Sequence, residues 1–171
     1  MIDLASRIRD VPDFPKKGIL FKDITTLLRD GAAFRQALDQ LGDLVRDWEI
    51  DVVVGMESRG FIFAAPIAYL LGVGFVPVRK LGKLPAETIT AEYELEYGTN
   101  TLELHVDAVE PGCRVLIVDD LLATGGTVGA TIELIEQLEG VVAGTAFLVE
   151  LTFLDGRRRL DGYRVASLIS Y

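Results

Sequence analysis

The sequence contains very few of the side chains that form disulfides and metal clusters. It has one cysteine, Cys113, and one histidine, His105, among 171 residues. A single cysteine cannot form a disulfide within the chain, and with one histidine it cannot complete a Cys/His metal site. We therefore expect any metal to arrive with a ligand, and His105 to have a structural role.

Long hydrophobic runs and an excess of basic residues are also missing. Although 50% of the residues are hydrophobic, none of their runs approaches the roughly 20 residues that span a bilayer. The opening Met1-Ile2-Asp3 does not resemble a signal peptide, so we expect a cytoplasmic protein with no membrane partner. The net charge of −9 argues against broad nucleic-acid contact, because that binding relies on basic surface. The expected ligand is therefore a small molecule.

The order of the apolar segments predicts one α/β domain over 1–171, with a doubly wound, mainly parallel sheet flanked by helices. The clearest helix repeats an apolar residue every three or four positions behind a candidate cap at Asp30 or Gly31. Its apolar stripe is Phe34, Leu38, Leu41, Val45 and Trp48. A further helix is expected over 61–71. The expected strands cover 52–54, 75–78, 115–118, 143–152 and 164–169.

Two segments interrupt this alternation of strands and helices. Residues 10–26 are rich in Pro, Lys and Gly and predict an ordered surface loop that caps a pocket, within an N-terminal hood over 1–30. Residues 79–106 are charged and polar, with a Tyr97-Gly98 turn, and predict a mobile antiparallel hairpin. Long excursions of this kind often act as lids.

The most informative motif is an acid pair followed by a loop of small residues. Asp119 and Asp120 follow a buried strand, and open α/β sheets bind ligands at the carboxyl ends of their strands. The loop that comes next is Ala123-Thr124-Gly125-Gly126-Thr127, and its N–H groups can enclose a phosphate at a helix N-terminus. Ionised carboxylates only accept hydrogen bonds and so suit the paired hydroxyls of a ribose. The motif predicts a site for a phosphorylated sugar.

Purely structural interpretations of these residues are weaker in this context. An acid pair is often a solvated strand end and a Gly-Gly pair is often a turn, but here a strand precedes them and a helix follows. The chain has no G-x-G-x-x-G fingerprint. Phe61 stands where a P-loop requires Lys, and Met56 stands where a hydrolase elbow requires Gly before Ser58. A P-loop and a serine hydrolase are therefore not expected.

A second transition from strand through loop to helix covers residues 54–61. The Ser58 hydroxyl and the Arg59 guanidinium can bind phosphate oxygens there, although an ordinary turn with Arg59 in a surface ion pair remains open. A ligand with one phosphate at 123–127 and others at Arg59 would carry anions at both ends of a ribose. Positive charge on the lid would come from Arg79, Lys80 and Lys83, although solvated surface positions remain an open alternative for each of them.

These residues resemble the type I phosphoribosyltransferases over nearly the whole chain. The acid pair and its loop are similar to many members of that family, and further segments resemble the branch that acts on adenine. Those segments are Pro12-Asp13-Phe14-Pro15, Phe21-Lys22-Asp23-Ile24, Glu57-Ser58-Arg59-Gly60-Phe61, Arg79-Lys80, Gly82-Lys83-Leu84-Pro85 and Leu95-Glu96-Tyr97-Gly98. The resemblance implies a homodimer for purine salvage, which transfers 5-phosphoribosyl from phosphoribosyl pyrophosphate to N9 of adenine, giving AMP and pyrophosphate.

The resemblance also implies where the sugar donor binds. Its 5′-phosphate is expected on Ala123 to Thr127, and its ribose hydroxyls on Asp119 and Asp120. Mg²⁺ is expected to enter with the pyrophosphate, without a direct ligand from the side chains. The pyrophosphate would lie near Glu57, Ser58 and Arg59, and the peptide between Glu57 and Ser58 is expected to be cis.

Adenine is expected between Phe21 and Leu121, with its edge read by the backbone at Leu20 and Lys22, because apolar stacking alone does not distinguish purines. Glu96 is the candidate for hydrogen bonding or proton transfer at the adenine imidazole, with Tyr97 beside it. Glu96 is equally compatible with a solvated hairpin position.

Two rival functions follow from the same residues. One is a phosphoribosyltransferase for guanine, hypoxanthine or xanthine, which would need side chains suited to a 6-oxo base. The other is a regulatory protein that keeps the fold without catalysis, for example a nucleic-acid-binding attenuator with a basic face. The acidic composition and the Glu96-Tyr97 segment count against the second.

Overall fold

The structure, a computed structural model, describes residues 1–95 and 98–171. The chain forms two compact units, Met1–Gln40 and Leu41–Tyr171. Within the described ranges, no helix combines the length and the hydropathy needed to cross a membrane.

The first unit combines a small antiparallel sheet with helices. Its elements are a 3-10 turn at Ala5–Arg7, β1 (Arg9–Pro12), β2 (Leu20–Asp23), α1 (Thr25–Arg29) and the first part of α2 (Gly31–Val45).

The pairing of β1 with β2 corrects the prediction of a loop over 10–26. Ion pairs cross between the strands, from Arg9 to Asp23 at 2.5 Å and from Lys22 to Asp10 at 2.7 Å. Pro15, Lys16, Lys17 and Gly18 lie in the turn between the strands, whereas Pro12 and Lys22 belong to the strands. The pairing itself depends on partners 12 and 14 residues apart, which local composition does not reveal.

Helix α2 confirms the clearest helix prediction and identifies its cap. The Asp30 carboxylate accepts hydrogen bonds from the backbone N–H groups of Ala32 and Ala33, both at 3.1 Å, as an N-cap does. The helix ends at Val45, so Trp48 lies beyond it and was wrongly included in the stripe. The fully buried positions recur at every fourth residue, at Ala33, Ala37, Leu41 and Val45.

The second unit is a sheet with helices, as predicted. Its elements are β3 (Val52–Met56), α3 (Gly60–Leu71), β4 (Gly74–Lys80), β5 (Thr88–Leu95), β6 (Gly98–His105), β7 (Arg114–Leu122), α4 (Gly126–Gln137), β8 (Val141–Glu150), β9 (Val165–Ser170) and 3-10 turns at Thr152–Leu154 and Gly156–Leu160. Among the described residues the sheet has seven strands in the order β5-β6-β4-β3-β7-β8-β9. The pairs β4-β3, β3-β7, β7-β8 and β8-β9 are parallel, which confirms the mainly parallel sheet.

The hairpin predicted over 79–106 is present as β5 and β6, but it belongs to the main sheet. Strand β6 pairs with β4, where Arg79 lies opposite Glu103 and Lys80 opposite Leu102. Arg79 and Lys80 are therefore strand residues, which corrects their assignment to the lid. The hairpin also contributes apolar side chains to the core, because alternate positions face it. These buried residues are Ala91, Leu102 and Leu104.

Candidate active site

The acid pair lies on the central strand β7, whose residues Val115 to Val118 are fully buried. We had predicted that Asp119 and Asp120 follow the end of this strand. The strand instead continues through Leu122, so both acids lie within it. Pairing with β3 stops at Val118, whereas pairing with β8 continues to Leu122. The two acids therefore lie where β7 extends past its pairing with β3.

Both carboxylates are held by specific contacts. The Asp119 carboxylate accepts a hydrogen bond from the backbone N–H of Asp120 at 2.9 Å, and Arg59 Nε lies 2.8 Å from Asp120 Oδ2. Burial, followed by the adjacent charge of Asp120, raises the pKa of Asp119 well above its ordinary value. Burial also raises the pKa of Asp120, against the opposing effect of Arg59. A ligand that donates hydroxyl hydrogen bonds would favour the ionised forms.

The predicted phosphate loop follows β7 directly and leads into α4, which begins at Gly126. Residues Leu121 to Val128, together with Asp119, enclose a small cavity of about 60 Å³. Gly125 has a φ of +81°, and a Cβ at that position would lie 2.8 Å from the carbonyl oxygen of Gly156. Glycine is therefore required both by the backbone conformation and by the close neighbour. The arrangement has the small-residue loop and helix N-terminus that bind phosphates.

The second anion loop connects β3 to α3. The peptide between Glu57 and Ser58 is cis, as the resemblance implied. The Glu57 carboxylate accepts hydrogen bonds from Lys80 N at 3.0 Å and Arg79 Nε at 3.2 Å. The Lys80 N–H and the Arg79 guanidinium together lower the pKa of Glu57, although burial opposes them. Glu57 thus joins this loop to β4, while the Arg59 side chain extends to the acid pair.

A single cleft connects the two anion loops. It has a volume of about 480 Å³, and Leu121 and the exposed Lys80 side chain are among the residues that line it. Arg79 and Lys83 are not among the residues that line it. The Arg79 side chain instead contacts Glu57 and the carbonyl oxygen of Lys83. The other lining residues are Glu57, Ser58, Arg59, Tyr93, Leu102, Asp119, Asp120, Ala123 and Thr127. Both predicted anion sites and the acid pair therefore share one space.

Sequence reasoning missed several residues around this cleft. Tyr93 and Leu102 line it from the hairpin, and a Cβ at Gly126 would lie 3.5 Å from Tyr93 Cδ2. Glu103 is buried, and its Oε1 accepts hydrogen bonds from the N–H groups of Lys83 and Leu84, both at 2.7 Å. Burial alone would raise the pKa of Glu103, but the backbone N–H groups outweigh it and lower the pKa. Only the alternation of residues 101–105 could have indicated that Leu102 and Leu104 face inward.

Glu96 and Tyr97 are outside the described residues, so their roles stay predictions. The N–H of Ala86 approaches Nε2 of His105 at 3.4 Å, which is in keeping with a structural role for His105.

Leu20, Phe21 and Lys22, which we predicted to bind adenine, lie on β2. The Phe21 ring packs edge to face on Phe14, with the ring centroids 5.1 Å apart, and the Lys22 side chain binds Asp10. Within the described ranges β2 pairs only with β1.

A model of the phosphoribosyl transferase domain matches residues 23–165 of this chain. That range contains the acid pair, both anion loops and the cleft between them. The chain therefore belongs to the phosphoribosyl transferase family.

Its relatives narrow this assignment. The adenine phosphoribosyltransferase of Alkaliphilus metalliredigens is 62% identical over 170 residues, which cover 99% of this chain and 100% of that protein. The enzyme of the same name from Clostridium perfringens is 59% identical over 170 residues, 99% of each chain. The crystal structure of adenine phosphoribosyltransferase from Thermoanaerobacter pseudethanolicus matches with a TM-score of 0.96 and 58% identity, covering 99% of this chain and 98% of that one. Within its family, the chain is a member of the adenine phosphoribosyltransferases, which are pentosyl-transferring glycosyltransferases.

Proposed function

We propose that the protein transfers the 5-phosphoribosyl group of phosphoribosyl pyrophosphate to N9 of adenine, giving AMP and pyrophosphate for purine salvage. The observation that carries the proposal is the shared cleft, which Asp119, Asp120 and both anion loops line together. A pentose with a phosphate at each end matches this order of groups.

In this proposal each part of the cleft binds one part of the donor. The loop from Ala123 to Thr127, which includes Thr124, Gly125 and Gly126, binds the 5′-phosphate through backbone N–H groups and the first turn of α4. Asp119 and Asp120 accept hydrogen bonds from the ribose hydroxyls. The pyrophosphate lies near Ser58 and Arg59. Its further partners in the cleft would be Glu57 and Lys80, and Arg79 and Lys83 would add positive charge from outside the cleft lining.

Leu20, Phe21 and Lys22 are proposed as adenine-binding residues, as is Leu121 of β7. In this proposal the backbone N–H and C=O groups at Leu20 and Lys22 read the edge of the base. Two related crystal structures contain purine ligands: the Saccharomyces cerevisiae adenine phosphoribosyltransferase is complexed with adenine and an imino-altritol bisphosphate, and the Giardia lamblia enzyme with 9-deazaadenine. The yeast structure matches with a TM-score of 0.91 at 44% identity and covers 97% of this chain and 96% of that one.

The proposed chemistry is a displacement at the anomeric carbon of the ribose. The bond from this carbon to N9 of adenine forms, and the bond to the pyrophosphate oxygen breaks with its electron pair leaving on pyrophosphate. The ionised Asp119 and Asp120 stabilise the positive charge that develops on the ribose. Arg59 would exchange its contact with Asp120 for the leaving pyrophosphate. Glu96, with Tyr97 beside it, would receive a hydrogen bond or the proton at the adenine imidazole.

Magnesium fits this cleft only as part of a complex with the substrate. Among the described residues, no group of three or more His, Cys, Asp or Glu side chains could hold a metal ion. Asp119 and Asp120 are carboxylates, the hard oxygen groups that suit the water shell of Mg²⁺, and Mg²⁺ commonly takes its other ligands from phosphates. When bound, the ion would add positive charge beside the pyrophosphate.

The protein is proposed to act in the cytoplasm as a homodimer. Helix α3 supports the homodimer. The helix sequence from 60 to 71 contains no charged residue, and a helix that is apolar all round is usually covered. Several of its side chains are nevertheless exposed, including Ile62 at 37%, Tyr69 at 85% and Leu70 at 48%. A second copy of the chain is the occupant that we propose for this face.

The double substitution Tyr69→Lys with Leu70→Lys should separate the dimer into monomers, because it adds two charges to that face. Light scattering coupled to size-exclusion chromatography measures the mass directly. The matched control is Val141→Lys, which charges an apolar residue that is also exposed, at 45%, but lies on β8. A wild-type protein of monomeric mass would contradict the homodimer.

A panel of purines tests the activity. The protein is incubated with Mg²⁺, phosphoribosyl pyrophosphate and either adenine, guanine, hypoxanthine, xanthine or no base, and nucleotides and pyrophosphate are then quantified. We expect AMP and an equal amount of pyrophosphate with adenine, and no nucleotide with the other bases or without a base. Turnover with a 6-oxo purine at a similar rate would support the rival base specificity. Donor binding without any nucleotide product would support the regulatory alternative.

A further inference from the structure

The 3-10 segment Gly156–Leu160 lies beside the phosphate loop. Strands β7 and β8 are parallel neighbours that pair up to their last residues, Leu122 opposite Glu150. The chain that leaves β8 therefore emerges at the same sheet edge as the loop that leaves β7. A hydrogen bond of 2.9 Å from Leu151 N to the carbonyl oxygen of Leu122 continues this contact beyond the strands.

The backbones of this segment and of the loop are in close contact. A Cβ at Gly156 would lie 2.2 Å from the carbonyl oxygen of Ala123, closer than any side chain can pack. In the other direction, a Cβ at Gly125 would lie 2.8 Å from the carbonyl oxygen of Gly156. The segment thus forms a wall directly against the phosphate loop.

An ion pair fixes this wall to the sheet. Glu150, 4% exposed, accepts two hydrogen bonds from Arg157, at 2.6 Å from Nε and 2.7 Å from Nη2. The Ser167 hydroxyl donates a third hydrogen bond to Glu150 at 2.6 Å. A two-point contact between a guanidinium and a buried carboxylate holds a fixed orientation. The residues after Arg157 therefore have a defined position relative to the loop.

Arg159 is the residue that this wall presents to the loop. Its Cβ and Cδ would lie 3.2 Å and 3.4 Å from a Cβ at Gly125, so its aliphatic stem packs against the loop at that residue. Arg159 is exposed, and within the described part of the chain its guanidinium has neither a hydrogen bond nor an ion pair. The loop from Ala123 to Thr127 itself contains no cationic side chain.

We propose that Arg159 is a further ligand of the 5′-phosphate, supplied from outside the small-residue loop. The inference rests on the proposed function, because it assigns a partner to the same donor. A phosphate monoester carries close to two negative charges at neutral pH, and backbone N–H groups do not neutralise them. A guanidinium that can move over the loop supplies one full positive charge and up to two hydrogen bonds.

Steady-state kinetics of Arg159→Met test this assignment, with Arg158→Met as the matched control. Arg158 lies one position away, is 84% exposed and pairs only with Asp155 among the described contacts. For Arg159→Met we expect the KM for phosphoribosyl pyrophosphate to rise about ten-fold, since a charged hydrogen bond is lost. The KM for adenine should not change, and Arg159→Lys should recover part of the loss. The control should behave as the wild type does.

Inhibitors that resemble each end of the donor locate the effect. Ribose 5-phosphate carries the 5′-phosphate alone, so Arg159→Met should weaken its inhibition about ten-fold. Inorganic pyrophosphate should inhibit the variant and the wild type equally. The assignment of Arg159 is overturned if Arg159→Met weakens inhibition by ribose 5-phosphate and by pyrophosphate equally. It is also overturned if Arg159→Met and Arg158→Met have the same KM for phosphoribosyl pyrophosphate. A wild type that makes no AMP overturns the proposed function instead, and thermal melting of each variant shows that the fold is kept.

Discussion

Replacing Asp119 and Asp120 together by Asn is expected to lower kcat by at least about 100-fold, because the developing positive charge on the ribose loses both of its anionic partners. The fold should survive. Asn keeps an oxygen that can accept the 2.9 Å hydrogen bond from the backbone N–H of residue 120. Circular dichroism and a single-turnover assay of AMP formation measure the two outcomes. Near-normal turnover would remove both acids from the mechanism.

The same variant should be as stable as the wild type at neutral pH, or more stable. Burial raises the pKa of both carboxyls in the folded protein. A carboxyl with a raised folded pKa favours folding below its unfolded pKa, and that contribution is lost as the pH rises through the folded pKa. At neutral pH the ionisation of the pair therefore lowers the free energy of unfolding, and two Asn residues remove that penalty. Urea unfolding should show a stability difference that shrinks as the pH is lowered into the aspartate range. A variant much less stable at pH 7 than the wild type would contradict this sign.

Gly60→Ala should lower kcat by about 100-fold without a comparable loss of stability, because displacements of about 1 Å near reacting groups have effects of that size. A Cβ at position 60 would lie 2.7 Å from Asp119 Oδ1 and 3.1 Å from the carbonyl oxygen of Val118. Asp119 would have to move away from its proposed ribose contact, and the second anion loop would move with it.

Gly129→Ala provides a matched control for that substitution. Gly129 also lies in the first turns of a helix, and nothing lies within 4 Å of the place where its Cβ would be. Alanine there should raise helix stability slightly and leave kcat unchanged. Steady-state kinetics and thermal melting of both variants separate a local clash from a general effect of replacing glycine. Equal kcat values for the two variants would show that the contact between Gly60 and Asp119 is unimportant.

Elements with strong local patterns could be predicted from the sequence. The run Val115 to Val118 predicted a buried strand because it is apolar at every position, and α2 was identified by its periodicity and by Asp30. The phosphate loop and the second anion loop were recognised because glycine and small residues follow a strand and precede a helix. These signals lie within about ten residues of one another, so no knowledge of the tertiary fold was needed.

Features that depend on distant partners could not be predicted. The β1–β2 sheet rests on cross-strand ion pairs, and Glu103 has no local feature that marks it as the acceptor for the N–H groups of Lys83 and Leu84. Arg157 in turn stands in a run of three arginines that is indistinguishable from solvated surface. Its partner Glu150 lies on the far side of a 3-10 turn, and Ser167 comes from another strand.

The distance between the two anion loops has a consequence for how freely this chain can vary. The loops follow β3 and β7, which are hydrogen-bonded parallel neighbours. Adjacent strands lie about 4.8 Å apart whatever side chains they carry. The separation of the two loops is therefore set by the sheet backbone, including the part of β7 that extends past β3, and substitutions elsewhere can accumulate without changing it.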